Sequence, residues 1–124
     1  MTSRLALLAA FVLFAGSAQA QINPFQGRKG APRLADSDVT LLYQTGQKLL
    51  GDIKPAKGAS ETWQNDATGA AGKVDYLGPT TRKVGTTKYA CRLLLYEVTV
   101  KGAKTARTTR AAWCRQPDGT WKLG

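Results

Sequence analysis

Cys91 and Cys114 carry the chain's only thiols, and each stands before an arginine, in Tyr89-Ala90-Cys91-Arg92 and Trp113-Cys114-Arg115. A thiol pair can close a disulfide, exchange electrons or bind a metal. The spacing of 23 positions (114 − 91) is unlike the Cys-x-x-Cys of a redox pair. Zinc asks for about four Cys or His ligands at close spacing, and the chain has no His. A structural disulfide is the chemistry that remains, and it persists in an oxidising compartment such as the bacterial periplasm or the cell exterior. Closing a loop of that size restricts the unfolded chain and stabilises the fold by on the order of 3 kcal/mol. For a small domain that is a large share of the total.

The remaining reactive inventory favours binding over catalysis. Without His the usual neutral-pH general base is missing, and beyond the leader only Ser37 and Ser60 could serve as serine nucleophiles. Glu61 and Asp75 could face each other across a hairpin as a carboxylate pair of the glycosidase type. Nothing else supports that pair, and the chain reads as non-catalytic, with no cofactor and no metal. Trp63, Trp113 and Trp121 could form a stacking platform for sugar rings, although large aromatics in a small domain more often build the core. Arg92, Arg107, Arg110 and Arg115 form the best anion-binding candidate.

Residues 1–20 have the layout of a secretory signal peptide. Arg4 supplies the positive n-region, residues 5–15 the apolar stretch, and Ala18-Gln19-Ala20 a small-x-small cleavage site. The apolar run is shorter than the roughly 20 residues that span a bilayer, and no second one follows, so no transmembrane span is expected after cleavage. Of 18 Lys and Arg, Arg4 lies in the leader, which leaves 17 against 8 Asp and Glu, a formal charge of +9. In an exported protein the matching partners are lipid A phosphates, anionic phospholipid headgroups and acidic glycans. Nucleic acid is excluded by address. The charges form no block, so part of their task is solubility.

Residues 21–35 hold Pro24, Pro32, Gly27 and Gly30 among Arg28, Lys29 and Arg33, which predicts a basic flexible linker. From Asp36 the apolar positions Val39, Leu42, Tyr43, Gly46, Leu49 and Leu50 recur at spacings of three and four, which predicts an amphipathic helix over 37–50. Ser37 is its expected N-cap, Asp38 sits favourably at the helix dipole, and Gly51 and Pro55 end it. Gly46 on the buried face costs up to about 1 kcal/mol in propensity and implies close packing on something flat, such as a sheet.

Beyond Lys54 the pattern is that of strands, over 60–64, 73–80, 88–100, a return beyond Lys104, and 120–123. A four-residue loop at Lys101-Gly102-Ala103-Lys104 sets Val100 opposite Thr105, Cys91 opposite Cys114 and Arg92 opposite Trp113. Directly opposed residues lie about 4.5 to 5.5 Å apart at Cα, within disulfide reach. A two-residue loop at Lys101-Gly102 would make the cysteines diagonal. Arg92 and Arg115, each following a cysteine on its strand, are expected to project to the face opposite the sulfurs. The expected fold is α+β: one amphipathic helix on an antiparallel meander of four or five strands, closed by one disulfide and occupying residues 36–124.

The ordered blocks Trp63-Gln64-Asn65-Asp66-Ala67-Thr68-Gly69-Ala70-Ala71-Gly72-Lys73-Val74, Cys91-Arg92 and Cys114-Arg115-Gln116-Pro117-Asp118-Gly119-Thr120-Trp121 carry a further signal. They resemble the C-terminal domain of the 17 kDa surface antigens of Rickettsia and other alphaproteobacteria, over about residues 36–121. The resemblance implies a cell-envelope or surface protein, at the periplasm or outer membrane, with no catalytic residues to carry over. Classical members of that family are lipoproteins, whereas position 21 here is Gln and not a lipid-acceptor cysteine. Asn65, Gly69, Gly72 and Asp118-Gly119 are read as turn geometry. The functional expectation is a binding or structural module that contacts anionic envelope lipid or glycan, with an envelope protein as a further possible partner. A small secreted inhibitor of a hydrolase, of protease or lysozyme type, is the alternative.

Overall fold

The computed structural model describes residues 34–124. The signal peptide and the linker up to residue 33 lie outside the described residues. One helix, α1 (Asp36–Gln47), precedes five strands, β1 (Ser60–Asn65), β2 (Ala70–Val84), β3 (Thr87–Thr99), β4 (Arg107–Arg115) and β5 (Trp121–Leu123). The strands form one antiparallel sheet in sequence order, so every connection joins neighbours. An α+β fold with a five-stranded meander follows directly.

The β3–β4 register is the one that the four-residue loop predicts. Cys91 pairs with Cys114 and Arg92 with Trp113, although the ladder ends at Val98–Arg107. The two cysteines are joined, with their Cα atoms 3.9 Å apart, closer than in an unlinked antiparallel pair. One face of the sheet carries Trp63, Val74, Tyr76, Leu94, Tyr96, Val98 and Trp113 into a core with Leu42, Leu49 and Leu50. The other face carries the disulfide, Ala112, Leu93 and Tyr89. Gly46 meets the sheet as expected: a Cβ there would fall 2.7 Å from the Tyr96 hydroxyl. That hydroxyl accepts a 2.7 Å hydrogen bond from Trp113 Nε1, so helix, β3 and β4 lock at one point.

Four local expectations need correction. The helix begins at Asp36 with Ala35 in the N-cap position, because the Asp38 carboxylate reaches back to accept from Ala35 N–H at 3.0 Å. Ser37 instead accepts from Asn65 Nδ2 at 2.9 Å. At the other end the helix stops at Gln47 and tighter turns carry the chain on, with Leu49 N–H bonded to Gly46 and Leu50 N–H to Gln47. Leu49 and Leu50 are buried all the same, so the apolar spacing outlasts the helix that suggested it, and Gly51 is not a left-handed cap.

Gly69 has the positive φ of a turn, at 78°, but Gly72 does not. It lies within β2 opposite Trp63, where a Cβ would overlap the Glu97 carbonyl oxygen. Leu34, just before the helix, is buried in the core. Among the described residues no helix is long and apolar enough to cross a membrane.

Candidate anion-binding site

The four arginines read as one cluster are divided by the sheet. Arg92 is 8% exposed. Its Nη1 donates to the carbonyl oxygens of Leu49 at 3.0 Å and Gly51 at 2.9 Å, closing the chain that leaves α1. Its guanidinium lies 4.5 Å from the centre of the Trp121 ring, and desolvation holds its pKa below the ordinary arginine value. Arg92 is thus a built-in clamp rather than a free surface cation. Alternation gave the correct side of the strand, but that side is the covered one. Arg107 stands opposite Val98 on the face that bears Trp113, while Arg110, opposite Leu95, is exposed on the disulfide face.

Arg115 keeps its candidacy. It pairs with Trp121 across β4–β5, lies 5.6 Å from that ring and donates through Nη2 to the exposed Asp52 carboxylate. Trp63 and Trp113 are core residues, and Tyr43 packs edge-on against Trp113. Only Trp121 is part-exposed, so no three-ring platform forms. Glu61 pairs with Val74 and Asp75 with Ser60, which sends the two carboxylates to opposite faces of the sheet. Asp75 instead pairs with Lys73 at 3.7 Å. The glycosidase-type pair is therefore absent.

Two cationic features emerge that composition did not single out. The first is the end of the β2–β3 hairpin. Beyond Cys91 the two strands pair only with each other among the described residues, from Thr81–Ala90 to Val84–Thr87. This ribbon holds Arg82, Lys83 and Lys88 without an acidic residue, and it is exposed apart from half-buried Tyr89. Val84 at its tip is 66% exposed, and Gly85 takes the left-handed turn at φ 62°. A break in register between Tyr76 and Gly78 precedes the ribbon and adds local twist.

The second feature is a cleft of about 270 Å³ at the ribbon's base, lined by Lys54, Arg92, Arg115, Tyr76, Trp121 and the Pro79 edge of β2. Its polar walls are three cations and a phenol, with no carboxylate. Tyr76 is 1% exposed, and its hydroxyl has no hydrogen-bond partner among the described residues. Lys54 and Pro79 come from segments distant in the chain, so only the folded topology unites this lining. Among the described residues no group of three or more His, Cys, Asp or Glu could hold a metal ion.

A third polar cluster, at the opposite end of α1, is closed. Asp38 is buried, and its Oδ1 accepts from Asn65 Nδ2 at 2.7 Å and Thr68 Oγ1 at 2.6 Å. Asn65 Oδ1 accepts from Ala67 N–H at 3.1 Å. This gives the Asn65…Thr68-Gly69 motif a structural task, tying the β1–β2 turn to the start of the helix. No family model matches the chain, and no curated protein or solved structure matches it either.

Proposed function

We propose that this chain is a non-catalytic, exported envelope module of the surface-antigen type that docks on an anionic envelope component, lipid or glycan. The observation that carries the reading is the ribbon of residues 81–90, an extended, exposed segment with three cations and no acidic residue to neutralise them. Near an anionic surface each such cation contributes about 1 kcal/mol. Export is supported by the leader-like residues 1–20 and by the disulfide, a bond at home in an oxidising compartment. We read α1 as the amphipathic clamp of the sheet, supported by the burial of Leu42, Thr45 and Gly46. The envelope assignment also rests on the ordered motif blocks, in which Asp118 Oδ1 accepts from Thr120 N–H at 2.9 Å in a tight turn.

The test is co-sedimentation with anionic and zwitterionic vesicles and capture on an immobilised acidic glycan, as salt rises from about 50 to about 500 mM. Association should fade with salt, and the triple variant R82Q/K83Q/K88Q should bind about a hundredfold more weakly. Unchanged association in that variant would sink the reading.

One observation favours the inhibitor alternative. Ile53 is 88% exposed on the loop that Arg92 holds from beneath, the presentation expected of an apolar anchor. On that reading the protein inhibits a protease or lysozyme in a salt-resistant manner, and Ile53→Asp abolishes the inhibition.

A further inference from the structure

The geometry points to the cleft between Lys54, Tyr76, Arg115 and Trp121 as a binding site for a phosphomonoester, distinct from the basic ribbon. The side chains that line the cleft are rich in donors and include no carboxylate. Lys54, Arg92, Arg115 and Tyr76 all present N–H or O–H groups, and no acidic side chain lines the wall. A buried hydroxyl left without a partner is costly, and Tyr76, which lines this cleft, carries such a hydroxyl. Among the described residues Trp63 Nε1 is the other such group, but it packs over Gly72 and is no part of this lining.

The donor set selects the class of anion. A carboxylate has two oxygens, whereas a phosphate presents three to donors arriving from Lys54, Arg115 and Tyr76. Near neutral pH a phosphomonoester carries about −1.5 to −2 charges, well matched to a wall of cations. The Trp121 ring and Pro79 form an apolar side against which a short carbon skeleton can lie. About 270 Å³ falls just below the usual range for small-molecule sites, which suits a phosphate on glycerol or a single sugar and excludes a whole lipid. Asp52 is a stand-in for that ligand: its exposed carboxylate already accepts from Arg115. An exposed pair of this kind is weak, so an arriving phosphate displaces it.

The test is calorimetric titration of the mature, disulfide-closed chain with glycerol 3-phosphate and inorganic phosphate, and with acetate as control, at roughly 150 mM salt. Saturable one-to-one binding of glycerol 3-phosphate, and much weaker binding of acetate, is expected. Tyr76→Phe should weaken it about tenfold while leaving the melting temperature unchanged or slightly raised, because the hydroxyl it removes has no partner in the fold. Lys54→Gln should weaken binding similarly, and Asp52→Asn should strengthen it severalfold by freeing Arg115.

Vesicles bearing phosphatidic acid, a phosphomonoester lipid, compared with phosphatidylglycerol, a diester, separate the two sources. Selective, Tyr76-dependent capture by the first assigns a lipid headgroup, and binding of soluble ester alone assigns a free metabolite. R82Q/K83Q/K88Q should keep the soluble binding, so failure of the ribbon reading and failure of this one are separable. Absence of saturable binding, equal binding of acetate, or full affinity in Tyr76→Phe would overturn the assignment.

Discussion

The two ends of α1 are both polar, and they are finished differently. At the N-terminal end Asp38 spends its carboxylate on Ala35, Asn65 and Thr68. At the C-terminal end Arg92 spends one nitrogen on Leu49 and Gly51, but around it Lys54 and Tyr76 line a cleft, and the buried Tyr76 hydroxyl has no partner among the described residues. Buried polar groups are normally paired. Where pairing is complete, as at Asp38, structure is a sufficient explanation. Where cations gather beside an unpaired hydroxyl with no carboxylate in the lining, as in the cleft, a ligand is the proposed completion.

The largest way to break that contrast is to open the closed end. Asp38→Ala leaves Asn65, Thr68 and the Ala35 N–H without their common acceptor and should cost about 3 kcal/mol in urea unfolding. It should leave phosphate binding in the native state unchanged, since the two ends share no residue. Arg92 belongs to both the fold and the cleft. Arg92→Met should lose about 2 kcal/mol through its two carbonyl bonds and its contact with Trp121, and should weaken ligand binding as well. Arg92→Lys cannot reproduce the paired geometry and should recover only part of either.

A smaller effect sharpens the middle of the helix, where Tyr96 meets Gly46 and Trp113. Burial raises the Tyr96 pKa above its ordinary value of 10.0, the hydrogen bond from Trp113 opposes the shift, and the nearby Tyr43 charge adds to it. The folded state therefore holds this proton to higher pH than the unfolded chain does. The contribution is complete below about pH 10 and is lost as pH rises toward the folded value. Urea midpoints should be flat from about pH 7 to 9 and fall above about 10. In Tyr96→Phe, which has no proton to lose there, that alkaline fall should be reduced.

Much of the frame was legible in residues. The spacing of Cys91 and Cys114 around Lys101-Gly102-Ala103-Lys104 predicted the β3–β4 register, because a disulfide and a short loop over-determine the pairing. Gly46 announced a close approach, since a helix-interior glycine needs a reason. Burial was harder to read. Strand alternation says that Arg92 and the sulfurs lie on opposite faces, but not which face the helix covers. The run Thr81-Arg82-Lys83-Val84 lacks an apolar face and gives no strand signal, yet it pairs with Thr87-Lys88-Tyr89-Ala90 as a ribbon. The cleft had no local signature at all, because Lys54, Tyr76 and Trp121 meet only after the meander is complete.

The most direct test is an amide and indole chemical-shift titration of the isotope-labelled protein with inorganic phosphate. The account predicts saturable shifts at Lys54, Tyr76, Arg115 and the Trp121 indole N–H, with Ser37, Asn65 and Thr68 unmoved. Shifts confined to Arg82, Lys83 and Lys88, or none at any concentration, would show that the cleft is only a gap in the packing and that the contrast between the two ends of α1 has no functional meaning.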